Sequence, residues 1–182
     1  MPNHCHNDLW IRGNTEDVAN LLAYIGADKE QPAFDFNTLI PYPEKFKQMD
    51  QEMEAVYKDA TLLDAYKAKW GTSSDGYNSG GYDWCHNEWG TKWNAYGVAR
   101  RDYMGICLSF QTAWAPPAPV ILALAKMFPK CSLSLEYLEQ GGAFAGGFSC
   151  ESEDDWYDED EPWEAVKVTD KWEAKYRGKR GG

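Results

Sequence analysis

Histidine is scarce in this chain: three in 182 residues, at positions 4, 6 and 86. A catalytic scheme built on a histidine base has only two short segments to draw on. Cysteine occurs at 5, 85, 107, 131 and 150, an odd count with no C-x-x-C pair. That usage argues against a disulfide framework and reads as reduced, cytosolic thiols. No apolar run approaches the roughly 20 residues that a membrane span requires. Val120 to Phe128 is bracketed by Pro119 and Pro129 and interrupted by Lys126. Met-Pro-Asn-His is followed by no apolar signal region, so secretion is not expected. Neither G-x-x-x-x-G-K-[ST] nor G-x-G-x-x-G occurs, which leaves no recognisable phosphate-cradling loop. Positive charge is also short: 18 Lys and Arg against 29 Asp and Glu, a formal charge of −11. A field of that sign opposes duplex DNA and suits a basic protein partner.

What the chain has in surplus is aromatic surface. Phe, Trp and Tyr make up 15% of it, nine of them Trp, within a hydrophobic share of 43%. That is enough for a folded core without metal or disulfide staples. The expected organisation is one domain over residues 1–150, with a helical insertion and loop about 44–81, followed by 151–182 as an acidic segment and a basic tail. Glu151 to Glu161 contains eight carboxylates and no basic residue. Lys167, Lys171, Lys175, Arg177, Lys179 and Arg180 then reverse the sign.

Hydrophobic periodicity gives the elements. Leu9 and Ile11 alternate with Asp8, Trp10 and Arg12, a strand. Gly13-Asn14 turns into a helix that Asn14 or Thr15 can cap, with Val18, Leu21, Leu22 and Ile25 on one face and Gly26 as its stop. Residues 44–70 read as one long helix, with Phe46, Met49, Met53, Val56 or Tyr57, Ala60, Leu63 and Trp70 at three- or four-residue steps. Trp84 to Trp93 reads as a strand with Trp89, Thr91 and Trp93 on one face and Lys92 on the other. Ile106 to Trp114 alternates cleanly. A proline-rich break then opens a helix with Ile121, Leu124, Ala125 and Phe128 as its stripe. Cys131 to Leu138 is the last strand, and Gly141 to Phe148 a glycine-rich hairpin or bulge. Without the insertion the order is β-α-β-β-α-β, a ferredoxin-like α+β arrangement with an antiparallel sheet.

The segments MPNHCHNDLWIRG (1–13), NEWGTKWNA (87–95), FQTAWAPPAPVILALAKMFP (110–129) and LEYLEQGGAFAGGF (135–148) together resemble the YubB/Api92-like family. The resemblance covers most of residues 1–148 and leaves the acidic segment and basic tail outside it. It implies a ferredoxin-like domain from bacteriophages and plasmids, hence a bacterial cytoplasm, and carries no catalytic residues with it.

Three constellations could carry chemistry. Cys5 with His4 and His6, and Cys85 with His86, contain zinc-ligand types, but neighbours on a strand face opposite ways and no ligand pair has the usual spacer. A thiolate enzyme using Cys5, Cys85 and His86 would lack an obvious orienting group. No catalytic, cofactor or metal residue is therefore assigned. Trp89, Lys92, Trp93 and Trp114, if they share an open sheet face, could stack a nucleotide or single-stranded nucleic acid; the simpler reading of such rings is core packing. Trp156, Tyr157, Asp158, Glu159 and Asp160 interleave rings with acids, a composition that can anchor a protein interface; the simpler reading is a solvated linker. The expectation is a non-enzymatic accessory protein that binds and modulates a host protein through this acidic segment, plausibly a defence or nucleic-acid-handling factor. Nucleotide or single-strand binding is the alternative, and a Cys/His metal- or thiol-dependent enzyme the second.

Overall fold

The computed structural model describes residues 3–71, 81–102, 105–141 and 144–150. Five strands form a single antiparallel sheet: β1 (His4–Arg12), β2 (Tyr96–Arg101), β3 (Ile106–Ala113), β4 (Ser132–Glu139) and β5 (Ala145–Cys150), in the order β2-β3-β1-β4-β5. The first four strands have the ferredoxin-like order, with β1 central between β3 and β4. β5 extends the sheet beyond β4. It arises from the glycine-rich segment expected to form a hairpin or bulge, and pairs with β4 from Leu133↔Cys150 to Leu138↔Ala145.

Register explains the core. Leu9 lies opposite Leu108 on one side and Leu135 on the other, and Ile11 opposite Ile106 and Leu133. These side chains share one sheet face, and Leu9, Leu108 and Leu135 are fully buried. Each such burial contributes about 2 kcal/mol. Helix α1 (Thr15–Ile25) buries Val18, Leu21, Leu22 and Ile25 as its spacing predicts. Asn14 caps it by accepting from the Asp17 amide at 2.9 Å, and Gly26 (φ 75) closes it. On the opposite sheet face Asp8 accepts from Arg101 at 2.8 Å and from Ser109 at 2.6 Å.

Two segments depart from the periodicity. The expected helix over 44–70 is split into α2 (Glu44–Lys58) and α3 (Leu63–Trp70), joined by a 3-10 turn at Ala60–Leu62. Asp59 leaves the helical region (φ −140, ψ 97), and its carboxylate accepts from the Thr61 amide at 3.0 Å and the Thr61 hydroxyl at 2.7 Å. A short polar side chain has captured the backbone. Val56 is buried and Tyr57 is 76% exposed, which settles which of the two faces the core.

The second departure is larger. Trp84 to Trp93 is no strand: a helical turn at Tyr82–Trp84 runs into a π-helical turn at Cys85–Trp89, and Gly90 (φ 77, ψ 0) ends it. A tryptophan-rich run this short satisfies period two and a helical turn alike. The edge strand β2 begins only at Tyr96. The helix after the proline-rich break, α4 (Ala118–Met127), buries Val120, Ile121 and Leu124. Cys85 and Trp89 belong to the same core as α1 and α4, so the segment entering β2 packs on the helix-covered side of the sheet.

Candidate binding site

The C-terminal end of β3 and the loop before β2 are held together by one residue. Thr91 is fully buried. Its hydroxyl donates to the Ala113 carbonyl at 2.8 Å and accepts from the Ala113 amide at 3.1 Å. The loop can approach this closely because Gly90 has no side chain: a Cβ there would lie 2.8 Å from Pro119 Cδ and 3.1 Å from the Pro116 carbonyl, on a backbone with positive φ. Lys92 and Trp93 follow Thr91 directly, and Trp114 follows Ala113.

Trp114 is the only non-glycine residue with positive φ (69°) among the described residues. That conformation disfavours a bulky side chain. It is fixed from outside by the Trp114 amide, which donates to the Asn3 carbonyl at 2.9 Å. Trp114 remains 36% exposed and Trp93 38%. Strained, solvent-facing tryptophan is uncommon in a residue that only fills space, and strain of this kind clusters at functional sites.

Around these rings a box has formed. Lys92 Nζ lies 4.9 Å from the ring centre of Trp114, 5.3 Å from Trp93 and 5.6 Å from Tyr82. Tyr82 meets Trp114 edge-on at 6.1 Å, and His86 stacks on Trp114 at 6.1 Å. Tyr82 also meets His86 at 4.7 Å. The enclosed Nε2 of His86 has no hydrogen-bond partner among the described residues. Asp83 on the helical turn and Glu88 on the π-helical turn that follows stand exposed. The arrangement offers ring faces, a cation and hydrogen-bonding capacity at the surface.

Of the four residues expected on a ligand-stacking sheet face, Lys92, Trp93 and Trp114 are brought together, beside the end of β3 and not on the open sheet. Trp89 is not with them. It is 4% exposed, donates through Nε1 to the Ile40 carbonyl at 2.9 Å, and packs against Phe36, Tyr42 and Trp84. The helical turn points it inward, where a strand would have set it beside Trp93. Tyr82 and His86 complete the box and were missed because the same turn was read as extended. Their i, i+4 spacing would have revealed them on a helix. Trp156, Tyr157, Asp158, Glu159 and Asp160 lie outside the described residues.

The thiols offer little reactivity. Cys5 sits on the core face of β1 and Cys85 in the core with Trp89, and all five cysteines are buried. Burial pushes both the Cys5 and the Cys85 thiol up to about 12, which opposes thiolate chemistry near neutral pH. Among the described residues no group of three or more His, Cys, Asp or Glu is placed to hold a metal ion. His4 Nδ1 is instead hydrogen-bonded to the Tyr96 hydroxyl. No helix among the described residues is long and apolar enough to cross a membrane.

Comparison with known proteins bears on the fold. Residues 88–175 match the family model for the ferredoxin-like domain in Api92-like protein. The match starts at the π-helical turn, covers β2 to β5, and continues past Cys150 through the acidic segment. The resemblance read from the sequence leaves that segment out. A crystal structure of protein api92 from Yersinia pseudotuberculosis superposes with a TM-score of 0.51 at 11% identity, covering 93% of this chain and 99% of that one. At that identity the likeness is one of fold. Among curated proteins no match is found.

Proposed function

With an Api92-like ferredoxin-like domain as the premise, we propose that this chain is a non-enzymatic protein that binds and modulates a host protein, with Tyr82, Lys92, Trp93 and Trp114 as its contact surface. The observation that carries the reading is Trp93 with Trp114: two tryptophans each more than a third exposed, one of them in a strained backbone conformation. Tryptophan and tyrosine are the residues most enriched at the energetic centres of protein interfaces. The raised thiols and the scarcity of histidine support a role without turnover. Binding alone modulates a target by mass action, lowering its free population. The net charge of −11 favours a basic partner, and the acidic segment with Trp156, Tyr157, Asp158, Glu159 and Asp160 would steer the encounter and supply a second contact. The resemblance to phage and plasmid proteins read from the sequence supports a bacterial cytoplasm as the setting.

Capture of tagged protein from bacterial lysate, with and without nuclease, tests this reading when run beside Trp93→Ala and a variant in which Asp158, Glu159 and Asp160 are neutralised. A stoichiometric protein that survives nuclease, is lost with Trp93→Ala and weakens with salt is the expected result. Recovery of nucleic acid that nuclease removes would overturn it in favour of base stacking on Trp93 and Trp114. An unchanged set of captured proteins for both variants would remove these residues from the binding surface.

A further inference from the structure

We propose that the Tyr82–Trp93–Trp114 box is a receptor for an organic cation, the lysine or arginine side chain of a basic partner, and that Lys92 is its resident occupant. This rests on reading the same patch as the binding surface and names the chemistry it selects.

The argument begins with the ammonium. Its distances of 4.9, 5.3 and 5.6 Å to three ring centres all fall within the range of about 6 Å where the ring quadrupole attracts a cation. One such contact is common on protein surfaces; three rings converging on a single ammonium form a cage. The cage is electron-rich, attached to a strongly acidic chain, and lined further by His86, whose enclosed Nε2 has hydrogen-bonding capacity unused by any described residue. An anion or a phosphate-bearing ligand meets the opposite preference from both the ring faces and the net charge.

Lys92 reaches the box from the loop that also supplies Trp93, so it can leave by rotating its own side chain, with no change to the Thr91 clamp or to the backbone at Trp114. Rotamer exchange of this kind is fast. An incoming lysine or arginine therefore competes with an internal copy of itself. Affinity for it is the intrinsic affinity multiplied by the fraction of time that Lys92 leaves the cage vacant. The self-contact also keeps the rings oriented while no partner is present.

The test is a titration of the native protein and Lys92→Met with the peptide acetyl-Gly-Lys-Gly-amide, with acetyl-Gly-Gln-Gly-amide as the neutral control. Ionic strength is held constant, and tryptophan fluorescence and indole N–H resonances are read. Lys92→Met removes the competitor and should bind the lysine peptide about five-fold more tightly than the native protein, the factor that a self-contact of about 1 kcal/mol supplies. Adding Trp114→Leu, or Trp93→Leu if the first variant fails to fold, should abolish the response. The glutamine peptide should give none.

A Lys92→Met protein that shows no saturable response, or no preference for lysine over glutamine, overturns the cage. If Trp93→Ala still loses a captured partner in that case, the surface assignment stands and only the cation is wrong. If neither effect is seen, both fall.

Discussion

Replacing Thr91 by valine isolates the bond that assembles the candidate site. The Trp114 amide bonds to the Asn3 carbonyl, which makes Asn3 and Trp114 a hydrogen-bonded pair. Strand geometry then turns the amide groups of the neighbouring pair, His4↔Ala113, away from β1. β2 begins at Tyr96, opposite Gln111, and does not reach Ala113. The Thr91 hydroxyl takes the place of the missing strand. Valine has the same shape and cannot serve either group. The Ala113 carbonyl keeps a second donor in the Ala115 amide at 2.9 Å, but the Ala113 amide is orphaned in a site with no solvent exposure. An unsatisfied buried donor plus a lost hydrogen bond costs about 2–3 kcal/mol. Thr91→Ser keeps the hydroxyl and loses one methyl, about 1 kcal/mol. Urea unfolding followed by far-ultraviolet circular dichroism gives both differences. Near-ultraviolet spectra should also show Trp93 and Trp114 losing their fixed environment in the valine variant alone. If valine is tolerated as well as serine, to within about 0.5 kcal/mol, the clamp is not what holds this loop.

Four further outcomes are expected. Gly90→Ala should lower stability by about 2 kcal/mol or more, from its positive φ and the clash with Pro119 and Pro116, read as a drop in the thermal midpoint. At position 114 glycine should be more stable than alanine by about 1 kcal/mol, because both delete the ring and only glycine suits φ 69°; equal stabilities would mean that the backbone there is not strained. Burial raises the Asp35 carboxyl, but hydrogen bonds from the Asn37 amide, the Asn37 side chain and the Asn94 side chain outweigh it, and the net shift is downward. Its contribution to stability is therefore full above the unfolded value of about 3.9 and is lost as pH falls through the folded one; Asp35→Asn should flatten the acid limb of stability against pH. Last, a thiol reagent at pH 8 should label none of the five cysteines in the native protein at the rate seen in urea. Since Cys5 and Cys85 titrate higher folded than unfolded, stability should fall as pH rises past the ordinary thiol value of about 8.5.

Sequence legibility followed how far each signal was local. Helix α1 was readable to within one residue at its cap, because cap, stripe and stop all lie within thirteen positions and agree. β1, β3 and β4 were readable from alternation, and their connection lengths gave the ferredoxin-like order. The run from Trp84 to Trp93 was misread because large rings fit either period, and what decides between them is tertiary: Trp89 is drawn inward by Ile40 and Tyr42, nearly fifty positions upstream. Asp59 hid its break behind an unbroken apolar spacing. At the candidate site, the sequence brought Lys92, Trp93 and Trp114 together on adjacency alone. It could not show that Trp114 adopts positive φ, since that depends on Asn3 at the far end of the chain, nor that Tyr82 and His86 share a helical turn.

The central position of β1 also has a kinetic meaning. Its partners lie about a hundred residues away, from His4↔Ala113 to Arg12↔Ser132, so the middle of the sheet waits on the closure of a very long loop. Non-local pairing of this kind slows folding, whereas α1 can form early on its own caps and spacing. Trp114 receives its restraint from Asn3 only when that late docking is complete. Its ring should therefore be among the last to reach its native environment during refolding, and its signal would mark the moment at which a molecule becomes competent to bind.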